Sequence, residues 1–183
     1  MTVTLLRGHI TELLLTSLVP RYVEDIRVYT DECALRNGRS DAKGGWAVVF
    51  QNDRLFNATG FSVSGPQTNN HYELKAIEEV LKIVLSDGPA YNVTIVTDSH
   101  YAINSITMWR NNWIPNGWRT SNGTPVANEE LIETIYSMIG DMQQIGGSVR
   151  FEYVVAHSGD WLNDRADRTA KDAADQNPLV PYW

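Results

Sequence analysis

The chain has 183 residues, 43% hydrophobic and 20% charged, enough for one well-buried core and ordinary for a globular domain. Its single cysteine, Cys33, excludes an internal disulfide, and no apolar run reaches the roughly 20 residues that span a bilayer. A net charge of −7 is the wrong sign for a protein that meets nucleic acid through a broad basic surface.

Residues 1–25 have mixed apolar character broken by Pro20, and read as an arm or short helix before one domain over 26–183. From Ile26 the alternation IRVYT predicts a first strand ending at Asp31. After the turn-rich stretch 36–45, a second strand is expected over 46–50 and a third over 54–63. From Asn69 and Asn70 onward, Leu74, Ile77, Leu81 and Val84 recur at helical spacing until the DGP at 87–89. Residues 92–97 read as a short buried strand ending at Asp98, with Ser99 in the N-cap region of the next helix. Tryptophan and turn residues fill 109–126 without a clear period. A helix over about 128–144, a strand over 149–155 and a helix over about 162–175 complete the chain. This order predicts an α/β fold: a mixed five-stranded sheet with helices on both faces.

Asp31 and Asp98 each follow a β-branched run, so both are expected at strand ends, where sites in α/β sheets collect. If the two strands are neighbours, their carboxylates crowd together, which is costly unless a metal neutralises them. Glu73 falls in the first turn of its helix, while Asp167 shares a helix with Asp160, Asp164, Asp172 and Asp175, and spacing alone does not single it out. His157 follows the fifth strand in a glycine-containing loop, placed to shuttle a proton. Four such acids with one histidine can hold two divalent ions against a phosphodiester, the chemistry of a nuclease. Two bound ions would also offset part of the −7. Cys33 reads either as a small buried residue or as a reactive thiol.

The segments YTDE, TNNHYEL, TDSHYAIN, NGWRTSNGTPVAN and AHSGDWLNDRAD together closely resemble ribonuclease H type 1, over about 26–176. The resemblance implies the ribonuclease H-like fold and cleavage of the RNA strand of RNA–DNA hybrids with two Mg²⁺ ions, for which Mn²⁺ substitutes. It makes Asp31, Glu73, Asp98 and Asp167 the metal-holding catalytic acids, and His157 a catalytic loop histidine. Asn37, Asn69 and Asn70 would contact the RNA strand, reading its 2′-hydroxyls. Thr68 and Asn128 would form a pocket for a phosphate of the DNA strand, with Trp109, Trp113 and Ser121 walling the DNA channel. The expected partner is the hybrid, with no membrane, and the chain is expected to be a monomer in the cytoplasm or nucleus.

Several positions depart from the family's pattern. Glu32 replaces a common glycine, Ala156 a usual glycine, and Pro66 stands where some members place a pocket arginine. The 109–128 stretch resembles the family's substrate-binding handle but carries only Arg110 and Arg119 as basic residues. The separate N-terminal hybrid-binding domain of many eukaryotic members is absent from this sequence. A catalytically silent binding domain and a retroelement-derived domain are the alternatives. The four intact acids argue against the first, and Met1 with a complete handle against the second. The tryptophans serve equally well as a satellite core or as a binding wall.

Overall fold

The computed structural model describes residues 23–178 except 53 and 64, so the expected N-terminal arm lies outside the described residues up to residue 22. The strands are β1 (Glu24–Leu35), β2 (Lys43–Phe50), β3 (Ala58–Gly60), β4 (Tyr91–Thr97) and β5 (Ser148–Tyr153). They form one sheet in the order β3-β2-β1-β4-β5. β1–β2 and β2–β3 are antiparallel, and β1–β4 and β4–β5 parallel, which is the mixed sheet expected. The helices are α1 (Asn69–Asp87), α2 (His100–Asn104), α3 (Arg110–Trp113), α4 (Glu129–Gln144) and α5 (Trp161–Gln176), with a π-helical segment, Ser105–Trp109, joining α2 to α3.

Helices cover both faces of the sheet. On one, Ile26, Val28, Val48 and Ile95 pack with Leu74, Ile77, Leu81 and Val84 of α1 and with Ile132 and Ile135 of α4. On the other, Tyr29, Val49 and Val96 meet Leu162 and Ala166 of α5. The predicted periodicity of α1 is therefore the periodicity of its buried face. Thr68 caps that helix by accepting the His71 N–H, and Gly88, at φ 96°, ends it. Ser99 caps α2 in the same way, accepting the Ala102 N–H.

Several boundaries differ from the sequence reading: β2 begins at Lys43 rather than 46, and β5 runs Ser148–Tyr153 rather than 149–155. β1 starts at Glu24, and Asp31 lies inside it rather than at its end. Pairing with β4 stops at Tyr29, but β1 stays joined to β2 from Asp31↔Ala47 to Leu35↔Lys43. Asp31 is thus beyond the end of the parallel pair without being at the end of its strand. The third strand shrinks from 54–63 to Ala58–Gly60, because the Asn57 side chain takes the Phe50 N–H at 2.7 Å and Phe56 projects into solvent. In the stretch expected to lack a period, helix continues to Trp113. Trp109 and Trp113 sit one turn apart on it, with ring centroids 5.8 Å apart, and Trp118 follows at 6.0 Å.

α5 lies unusually close to the sheet, and this sets where Asp167 stands. Its inner face is Ala166, Ala170, Ala173 and Ala174, all buried, and it rests on Gly45 of β2. A Cβ at Gly45 would stand 2.4 Å from the Ala174 amide nitrogen and 2.7 Å from the Ala170 carbonyl oxygen. Backbone cannot yield as a side-chain tip does, so Gly45→Ala should cost about 1–3 kcal/mol. A lower urea midpoint with an unchanged m-value is the expected result, and an unchanged midpoint would refute the close packing.

Candidate active site

β1 and β4 carry Asp31 and Asp98 to one end of the sheet. Tyr29 pairs with Val96, and each aspartate follows two residues further along. Glu73, in the first turns of α1, reaches the same point. Oxygens of Asp31, Glu73 and Asp98 all lie within 4.8 Å of one another. Asp167 stands outside that group of three, but its negative charge acts on Asp31, Glu32 and Asp98. The structure thus distinguishes Asp167 from Asp164, which spacing could not do.

The electrostatics show what this crowding costs. Burial, followed by the charge of Asp98, pushes the Asp31 carboxyl up to about 8, although it accepts the Glu32 N–H at 2.8 Å. Burial also drives Glu73 well above the carboxylate range, with Glu32, Asp31 and Asp98 adding to the push. Asp98 is raised as well, chiefly by burial, and is held down by the charge of His157 and a hydrogen bond from Asn163. Among the described residues no lysine or arginine forms an ion pair with any of these acids. Hard oxygen donors gathered without a basic partner suit a divalent cation.

Two residues join the site that the sequence did not single out in this role. Glu32 is not turned out to solvent. Strand alternation sends it to the α1 side of β1, and burial with the charges of Asp98 and Asp167 raises its carboxyl to about 7. Asn163 is only 3% exposed, and its side chain hydrogen-bonds Asp98. Its signal was its place four residues before Asp167, on the same face of α5. The backbone amides of Leu162 and Asn163 both bond to the Asp160 carboxylate, which caps the helix.

His157 lies exposed in the turn before α5, in a left-handed conformation at φ 53°. Burial, with the charge of Glu32, lifts the Cys33 thiol to about 11, which favours the small buried residue over the reactive thiol.

The expected substrate contacts are arranged unevenly. Asn69 and Asn70 are exposed at the start of α1, and Asn37 and Ser121 are exposed in turns. Thr68 and Asn128 meet through one residue, His71. The Thr68 hydroxyl accepts the His71 N–H, and Asn128 Oδ1 lies 3.0 Å from His71 Nδ1. Asn128 is held in the left-handed region at φ 63°, and its amide also donates to the Tyr101 hydroxyl. Beside them opens a cleft of about 620 Å³, lined in part by His71, Lys75, Pro66 and Asn128. Trp109, Trp113 and Trp118 are half-buried, and the latter two pack against the main core rather than forming a separate satellite core.

The handle's arginines are occupied within the protein. Arg110 bonds Glu133 at 2.5 Å and lies over the Tyr136 ring, while Arg119 donates to the Gly123 carbonyl.

Comparisons with known proteins agree with this architecture. The RNase H family model matches residues 23–175. A ribonuclease H from Schizosaccharomyces pombe is 37% identical over 149 residues, covering 81% of this chain and 53% of that protein. The chain therefore spans about half the length of that relative. Among solved structures, LC9-RNase H1, described as a type 1 RNase H with the type 2 active-site motif, superposes with a TM-score of 0.68 at 26% identity, covering 87% of this chain and 76% of the other. LC11-RNase H1 shares the fold alone, with a TM-score of 0.58 at 19% identity over 82% of this chain and 97% of that one. Matched over nearly the whole described region, and with its acids gathered at one end of the same sheet, the chain belongs to the RNase H family.

Proposed function

We propose that this chain is an endoribonuclease that hydrolyses the RNA strand of RNA–DNA hybrids, leaving 3′-hydroxyl and 5′-phosphate ends. The observation that carries the reading is the trio Asp31, Glu73 and Asp98, with oxygens within 4.8 Å and no basic partner among the described residues. Membership of the RNase H family, with a ribonuclease H relative at 37% identity, supports that choice of substrate.

Asp31, Glu73, Asp98 and Asp167 are the residues that would hold two Mg²⁺ ions, or Mn²⁺ in their place. When bound, such ions supply positive charge to the phosphate and lower the pKa of an attacking water. Burial of Asp31 and Glu73 keeps bulk water from screening that charge. Asn163, which helps hold the Asp98 carboxyl down, would steady one carboxylate. His157, exposed on its turn and close enough for its charge to act on Asp98, would pass a proton to the departing 3′-oxygen.

Asn37, Asn69 and Asn70 would read 2′-hydroxyls on the RNA strand, and their exposure leaves their amides free for it. Thr68 and Asn128, joined at His71, would seat a phosphate of the DNA strand. The exposed parts of Trp109 and Trp113, with Ser121, would border that strand.

Labelled hybrid, duplex RNA and duplex DNA, each incubated with and without Mg²⁺, test the reading. Cleavage should appear only in the RNA strand of the hybrid and only with the ion. Efficient cutting of duplex DNA, or at a single ribonucleotide within it, would overturn the assignment.

A further inference from the structure

We infer that the outer face of α5, with Phe56 beside it, is a second nucleic-acid surface that takes a single-stranded extension of the bound hybrid. Its link to cleavage rests on the endoribonuclease reading; its affinity for a single strand does not.

The basic residues point there. Every lysine and arginine among the described residues spends its side chain on a carboxylate or another oxygen of the chain, save Arg165, Arg168 and Lys171. All three lie exposed on α5. In a protein of net charge −7 whose handle arginines are occupied, these are the cations left for phosphate.

Aromatic rings stand with them. Trp161, Arg165 and Arg168 fall at i, i+4 and i+7, and so share one side of the helix, turned away from the buried alanines. Trp161 is 65% exposed and Phe56 92%, and neither ring belongs to the core. Both line one cavity of about 250 Å³ with Arg165, bordered by the exposed Gln51 and Asn52. A nucleobase offers each ring a π-face, its phosphate offers each arginine an acceptor, and an amide bonds a base edge. A duplex hides its base faces in the stack, so the ligand that presents all three is a single strand.

The surface is separate from the one expected to hold the hybrid. α1 and α4, which bear Asn69, Asn70 and Asn128 at their starts, pack on the other face of the sheet. α5 also carries Asp167 toward the catalytic acids, so a strand leaving them has one helix width, about 10 Å, to cross.

Fluorescence anisotropy with labelled oligothymidylate in chelator tests the surface on the full chain. Phe56→Ala combined with Trp161→Ala should raise its Kd by about tenfold or more, the scale of lost base stacking. Arg165→Ala combined with Arg168→Ala should flatten the slope of log affinity against log salt by about 1.4, two phosphates at roughly 0.7 each. All four side chains are exposed, so both double variants should fold. In cleavage assays, a single-stranded DNA overhang should lower the wild-type KM. Both double variants should lose that gain while cutting blunt hybrid with unchanged kcat and KM. Wild type that ignores oligothymidylate, or variants that bind it as wild type does, would overturn the surface, and blunt-hybrid cleavage would still uphold the endoribonuclease reading. Blunt hybrid left uncut while oligothymidylate binding follows the expected pattern would sink that reading and keep the surface. Displacement of the oligonucleotide by an acidic peptide, with the aromatic pair without effect, would make the partner a protein and overturn the single strand.

Discussion

Asp98→Asn should abolish turnover, lowering it by at least about 10³-fold, beyond the 10–100-fold typical of groups that only support a metal ligand. Asp98 lies two residues beyond the last parallel β1–β4 pair and contributes one of the three oxygens clustered within 4.8 Å. The amide keeps the shape of the carboxylate and removes its charge, so the fold and the surfaces bearing Asn69, Asn70 and Asn128 are untouched. Hybrid affinity should therefore be retained while cleavage is lost, a signature of an interaction made in the transition state. His157→Ala provides the contrast. Being exposed and outside the buried cluster, it should slow turnover by about 10²-fold with the metal requirement unchanged. Single-turnover kinetics with a labelled hybrid, paired with anisotropy binding, decide both cases. Near-wild-type turnover in Asp98→Asn would refute the site.

Without divalent ions, the protein should lose stability as pH rises, the reverse of ordinary acid denaturation. Asp31 is raised from 3.8 to about 8, Glu32 from 4.5 to about 7, and Glu73 well above its ordinary value. Burial is the first cause in each, and neighbouring carboxylates add to it. The folded protein therefore holds protons that the unfolded chain has released between about pH 4 and about pH 8, and stability falls with pH across that window. The contribution is whole below the ordinary carboxylate range and lost as pH passes the raised values. Each tenfold in proton affinity is worth ~1.4 kcal/mol, and a protein of this size shifts its Tm by roughly 2–4 °C per kcal/mol. Thermal melts in chelator should show Tm falling from about pH 5 to about pH 8. Added Mg²⁺ or Mn²⁺ should restore it most at the alkaline end, where the ligands are ionised. A Tm that rises with pH in chelator would show that the cluster is not strained as described.

The sequence by itself determined the elements whose signals are local. Leu74, Ile77, Leu81 and Val84 mark a helix because a helix has one buried face, and all four are fully buried. Ser99 marks a helix start because the orphan amides of a first turn need an oxygen nearby. Asp31 and Asp98 could be chosen among 22 acidic residues because each closes a β-branched run, and a resemblance supplied Glu73 and Asp167.

Tertiary structure decided what depends on a neighbouring segment. β1 runs on past Asp31 because β2 is there to pair with it, which residues 26–31 cannot reveal. Arg110 is spent on Glu133 and Tyr136, residues brought to it by α4 from more than a turn of sequence away. In sequence Glu32 stands out only as a replacement of the family's common glycine. Only the packing of α1 and α5 against the two sides of β1 encloses its carboxyl among Glu73, Asp98 and Asp167, because burial and like charge belong to the assembled site and not to any one segment.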